Sequence, residues 1–285
     1  MPVGVGVDVS VRRGLDVVVL AGDRRLVEPP RAGQTPADLE ALLRRVRPDA
    51  VAIDSPPFWG VRGTSRRAER ELIALGLPCF RTPSDPRLRD HPFYGWMFAG
   101  HAAFAAAARG GYPCFTGTPG EDGRGRALEV FPHGAAVALA GHRPPAGTAR
   151  RPAAKRRWRT AVLAATGVEV APLRTLDAVD AALAALVAVI VAEGGVWFSL
   201  GQPDEGCVVL PGRPPAGPYP RDRASERSEP EGRAAPAGFA GPAQPGENTD
   251  DHPGGEALEP HPERVVARPG MARHGPIAPG RRRCS

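Results

Sequence analysis

The chain reads as an α/β domain on a mixed sheet flanked by helices, with a helical insertion and a disordered C-terminal tail. Three observations predict this. Val3, Val5, Val7 and Val9 alternate with Gly4, Gly6, Asp8 and Ser10, the period-two pattern of a strand with one apolar face. A second apolar strand, Ala50 to Asp54, follows an amphipathic helix and would return beside the first. From Gly212 to Ser285, 25 of 74 residues are Pro or Gly, a composition that buries too little surface to offset chain entropy. The folded domain is therefore expected over 1–211 and the tail over 212–285.

The elements follow in order. Leu15 to Leu20 reads as a second strand and Arg24 to Glu28 as a weaker third, joined by the turn Ala21-Gly22-Asp23. Thr35 is placed to cap a helix whose first residue is Pro36 and whose stripe is Leu39, Leu42, Leu43 and Val46. Ala50 to Asp54 is the fourth strand. Thr64 to Gly76 and Phe93 to Arg109 read as helices of the insertion, and Gly117 to Gly125 as a loop without the Lys-Ser/Thr ending of a phosphate loop. Ala127 to Phe131 is a short strand closed by Pro132. Helices are expected over 153–166, ending at Gly167, and 176–193, capped by Thr175. Val196 to Leu200 and Cys207 to Leu210 read as a closing hairpin or an extended finish, ending at Pro211.

Bulk chemistry narrows the class. The net charge is +6, of which the tail carries +1. Lys155 is the only lysine, so the arginine excess reflects residue usage throughout the chain, and only local basic clusters are informative. The cysteines at 79, 114, 207 and 284 form no zinc spacing, and no secretory leader is legible, which predicts reduced thiols and a cytoplasmic protein. The longest apolar run, Ala181 to Ala192, is too short for a bilayer, so no membrane partner is expected. The seven histidines lack metal spacing.

The chemistry lies with the acids. Asp8 and Asp54 each end a hydrophobic strand, where an ionised group is costly unless something compensates it. The two strands are expected to be neighbours, and their carboxyl ends are where open sheets with parallel strands bind ligands. Glu129 sits on the short strand 127–131. Asp177 and Asp180 share a face of the last long helix at i,i+3 spacing. Asp177 reads also as a first-turn acid complementing the helix dipole. Carboxylates without His or Cys favour hard cations, Mg²⁺ or Mn²⁺. The predicted catalytic and metal-ligating set is thus Asp8, Asp54, Glu129 and Asp180.

The ordered motifs resemble a known family. They are Gly6-Val-Asp8-Val-Ser10, Ile53-Asp54-Ser-Pro-Pro57, Arg66-Arg67-Ala-Glu69 with Gly76, Phe80-Arg81-Thr82-Pro83-Ser84 and Glu129-Val-Phe-Pro132. Lys155-Arg156-Arg157 ahead of Leu163-x-x-x-Gly167, Asp177-x-x-Asp180, and the Leu200 to Pro211 ending complete the series. Together, over about residues 3–211, they resemble the predicted RNase-H-like nucleases grouped as domain of unknown function 429. The resemblance implies a ribonuclease-H-like fold and divalent-metal-dependent hydrolysis of phosphodiester bonds, with nucleic acid, DNA or RNA, as substrate.

Basic residues complete the expectation. Arg67, Lys155 and Arg156 are candidate contacts to a phosphate backbone. On the helix carrying Lys155, Trp158, Val162 and Ala165 would face the core and the bases would point outward. The aromatic group Phe93, Tyr94, Trp96, Phe98 and Phe104 reads as helix packing. Two other functions compete: a non-catalytic nucleic-acid-binding or regulatory module, and an actin-like-fold phosphotransferase. The second is weakened because Asp8-Val9-Ser10 lacks the glycine that would approach ATP phosphates.

Overall fold

The alternating valines form the centre of a seven-stranded sheet in the computed structural model, which describes residues 1–222. Strand β1 (Val3–Ser10) pairs antiparallel with β2 (Gly14–Ala21), which pairs with the edge strand β3 (Arg31–Gln34). Helix α1 (Pro36–Val46) then returns the chain to β4 (Ala50–Asp54), parallel to β1. Strand β5 (Ala127–Val130) adds parallel to β4, and β7 (Gly206–Pro211) parallel to β5, with β6 (Trp197–Gln202) antiparallel at the far edge. The order β3-β2-β1-β4-β5-β7-β6 is a ribonuclease-H-like mixed sheet.

Helices cover both faces. Val5, Val7, Leu15, Val17, Val51 and Ile53 pack on one side with α1 and with α3 (Gly95–Arg109). The other side holds α4 (Pro132–Ala140), α5 (Pro152–Ala165) and the nearly all-buried α6 (Leu176–Ala192). Among the described residues, no helix is long and apolar enough to cross a membrane. Between β4 and β5, α2 (Arg67–Ala74), two short 3₁₀ turns and α3 form the helical insertion. Helix α1 starts as expected: Thr35 Oγ1 accepts from the Asp38 amide and Asp38 accepts from the Thr35 amide, a reciprocal cap.

Four local expectations change. The third strand is Arg31–Gln34, not Arg24 to Glu28; Leu26 makes only an isolated bridge to Leu20 before Pro29-Pro30. The true β3 is a short, mostly exposed polar edge, so apolar alternation could not reveal it. Strand β5 stops at Val130, because Phe131 caps α4, a helix absent from the sequence reading although Pro132 and the left-handed Gly141 bracket it. On α5, Ala165 is exposed, whereas Leu163 and Arg159 are buried.

Residues 212–222, assigned to the tail by composition, pack against the domain. Tyr219 is buried, and its amide donates to Leu75 O at 3.0 Å. Arg143 exchanges backbone hydrogen bonds with Pro220 and Asp222. The expected disorder of 223–285 lies outside the described residues, as does Cys284.

Candidate functional site

The site begins with two missing side chains. Gly4, Gly6 and Asp8 share the sheet face that α6 covers, and a Cβ on Gly6 would collide with the Ala181 carbonyl and the Ala185 amide. A Cβ on Gly4 would lie 2.7 Å from Ala185 O. The glycines thus let the α6 backbone lie directly on β1. Because α6 contacts progressively earlier residues along β1, its first turns reach Asp8 and bring Asp177 and Asp180 there.

Register supplies the other acids. Asp8 is the partner of Asp54 across the parallel β1–β4 pair and of Asp16 across the antiparallel β1–β2 pair. Directly paired residues share a face, so the three carboxyl groups line one row. Burial, then Asp180, Asp177 and Asp16, push the Asp8 carboxyl from 3.8 up to about 8. Burial and its neighbours Asp8 and Asp180 likewise raise Asp54 well above the ordinary carboxylate range. Asp180 is raised by burial, opposed by Arg159, whose Nη1 donates to both of its oxygens. Asp177 is held by exposed Arg13 at 2.6 Å.

Glu129 is placed differently. Its register partners are Ile53 and Val208, so it lies on the opposite pleat from Asp54. There it meets Arg66, a fully buried guanidinium whose Nη1 donates to Glu129 Oε2 at 2.8 Å and whose Nη2 reaches Oε1. Arg66 Nε donates to Glu69 Oε1 at 2.9 Å, and Glu69 also accepts from the Thr82 hydroxyl at 2.6 Å and amide at 2.8 Å. Glu205, buried in the β6–β7 turn, accepts the Arg67 amide at 2.9 Å. Burial works against charge on Arg66, yet Glu129 and Glu69 hold it protonated beyond its ordinary range. Four sequence motifs therefore meet in one buried ionic clamp joining α2, β5, the Thr82 segment and the final hairpin.

Of the acids, Asp54, Asp180 and Glu129 border a cleft of about 370 Å³, together with Lys155, Arg159 and Trp96, and Asp8 lies behind Asp54 in the row. Lys155 borders it as a candidate phosphate contact. Arg67 is exposed and paired with Glu71 at 2.7 Å, and Arg156 donates to Arg174 O at 3.1 Å; neither borders the cleft. Of the aromatic group, Phe104 is buried, whereas Phe93 and Phe98 are substantially exposed, Phe98 stacking on Trp59 at 5.6 Å.

Sequence reasoning missed Asp16, Arg66 and Arg159. Asp16 had a signal: a tight turn at 11–13 pairs it with Asp8. Arg159 also had one: it stands three and four residues before Val162 and Leu163 on their face of α5, although the bases of this helix were expected to point outward. Among the described residues, no three or more His, Cys, Asp or Glu side chains are grouped closely enough to hold a metal ion. The nearest approach to a donor set is the Asp8–Asp54 row, with Asp180 occupied by Arg159. Its mutually raised carboxyls are chemically suited to a hard cation, which would supply the positive charge they lack.

Comparison with known proteins places the chain. Two solved structures of RuvC from Thermus thermophilus align with it. One, in complex with Holliday junction substrate, shows 18% identity and a TM-score of 0.40, covering 71% of this chain and 99% of that one. The other shows 20% identity and a TM-score of 0.38, covering 70% and 99%. No curated protein matches in sequence. A family profile described as "Protein of unknown function (DUF429)" matches residues 6–205, and the chain belongs to that family.

Proposed function

We propose that the protein is a nuclease that hydrolyses phosphodiester bonds of nucleic acid with Mg²⁺ or Mn²⁺. The observation that carries this reading is the row of Asp8 and Asp54 at the carboxyl ends of adjacent parallel strands, with Asp180 brought across from α6. Asp8 and Asp54 would hold the cation, with Asp180 as the third acid of the set. The bound cation would supply an activated water and charge stabilisation for the leaving oxygen.

The remaining roles belong to the chain itself. Lys155 and Arg159 border the cleft beside the acids and carry the positive charge that a phosphate backbone requires. Glu129, committed to Arg66, acts as a positioning residue that fixes β5 against α2. The helical insertion, through Leu72, Phe80, Thr82 and Trp96, and Val208 of β7 complete the wall of the cleft.

The test is the full chain against labelled DNA and RNA, linear and branched, in Mg²⁺, Mn²⁺ and EDTA. Cleavage by the unmodified protein and its loss in Asp8→Asn and Asp54→Asn, with unchanged circular dichroism, is the expected result. Full activity in Asp8→Asn would overturn the mechanism.

A further inference from the structure

A second cavity, of about 340 Å³, adjoins the acidic cleft. The two share Cys79, Phe80, Phe131, Lys155 and Arg159 as walls, so they form one continuous depression. Its own lining is aromatic. His133 lies edge-on to Phe131 at 5.8 Å and tilted against Trp158 at 6.1 Å between ring centroids. The volume is at the lower end of the range for small-ligand pockets, about 300–1,000 Å³.

Two polar atoms in this lining are buried without a hydrogen-bond partner: His133 Nδ1 and Arg159 Nε. Arg159 as a whole is only 7% exposed. Buried donors and acceptors left unpaired are costly, and native structures pair nearly all of them. Both atoms are closed off from solvent, so neither opens into the cavity; what the cavity presents is aromatic wall with the cationic Lys155 and Arg159 beside it. A phosphate alone would leave the aromatic walls unused, and an aliphatic group would leave Lys155 and Arg159 facing no anion. A nucleotide meets both demands, through the π-face of its base and through its phosphate.

We propose that this cavity receives a single nucleobase turned out of the substrate strand, next to the bond that is cut. The inference rests on the nuclease reading of the acidic site and adds its substrate class: nucleic acid in which a base is unpaired or easily unstacked. With the base between Phe131, Trp158 and Phe80, Lys155 and Arg159 stand at the seam between cavities, where the attached phosphate passes toward Asp8 and Asp54. His133 walls the base site between Phe131 and Trp158. Burial, with Arg159 and Lys155 adding to it, depresses this imidazole to about 4, so at neutral pH it is uncharged.

The test has two arms, both on the full chain. Equilibrium dialysis measures binding of free nucleoside 5′-monophosphates to the unmodified protein and to His133→Leu, which is expected to weaken it about tenfold, the low end for a lost aromatic contact to a base. In the second arm, Asp8→Asn binds single-stranded and mismatched DNA carrying 2-aminopurine at successive positions. A severalfold fluorescence rise at one position is expected, and its loss on adding His133→Leu. If cleavage occurs but mononucleotides do not bind and 2-aminopurine stays quenched at every position, the base pocket is overturned and the nuclease reading stands. If mononucleotides bind through His133 but no nucleic acid is cut, the pocket stands as a nucleotide site and the nuclease reading falls. Absence of both binding and cleavage overturns both. Should His133→Leu fail to fold, dialysis of the unmodified chain and the Asp8→Asn fluorescence decide.

Discussion

At the scale of single residues, the acidic row is a charge deficit held in place by the backbone. Asp8 has its carboxyl raised to about 8 in the fold, against 3.8 as its ordinary value. Between those values the folded state binds more protons than the unfolded chain, so metal-free stability falls as pH rises from about 4 to about 8. Asp8→Asn removes that penalty. Thermal unfolding in EDTA is expected to show Asp8→Asn more stable than the unmodified protein at pH 8, with the two converging near pH 4. Mn²⁺ is expected to raise the midpoint of the unmodified protein and to leave the variant almost unmoved. Arg159 occupies the third acid, so Arg159→Gln should tighten Mn²⁺ binding measured by calorimetry while weakening nucleic-acid binding. The clamp behaves oppositely. Arg66→Met strands Glu129 and Glu69 as buried, uncompensated charges and is expected to cost about 3–5 kcal/mol in denaturant unfolding.

At the scale of elements, the contact between β1 and α6 decides whether a site exists. Gly6→Ala forces the α6 backbone away from the sheet, an overpacking expected to cost about 1–3 kcal/mol. The same displacement moves Asp180 relative to Asp8, so cleavage should fall much further than stability. A helix-cap change of similar size is the control: Thr35→Ala is expected to cost about 1 kcal/mol and to leave the turnover of folded protein unchanged. Equal losses of activity in the two variants would refute the positioning role of the glycines. How legible an element was depended on where its information lies. Helix α1 was fully legible because its cap, first-turn proline and apolar stripe are all local. Strand β3 was not, since a polar edge strand is defined by the partner it pairs with. The pairing of Arg66 with Glu129, 63 residues away, was hidden for the same reason.

At the scale of the whole molecule, the domain extends past its last strand. Tyr219 is buried and three backbone hydrogen bonds tie 219–222 to residues 75 and 143. A chain ending at 222 is therefore expected to melt higher than one ending at 211, by about 5 °C or more for one buried aromatic in a domain of this size. Indistinguishable melting of the two would show that the segment adds nothing. The sequence by itself determined the mixed α/β sheet, the placement of Asp8 and Asp54 at adjacent strand ends, and the helix bearing Asp180, because period-two and helical patterns are written locally. Only the tertiary structure decided which charges face one another. Pleat parity set Glu129 on the opposite pleat, against Arg66 at the start of α2, a glycine stripe set α6 close enough to crowd Asp8, and helix α5 delivered Arg159. Electrostatic pairing depends on distances of a few ångströms between elements, and those are fixed by packing rather than by spacing along the chain.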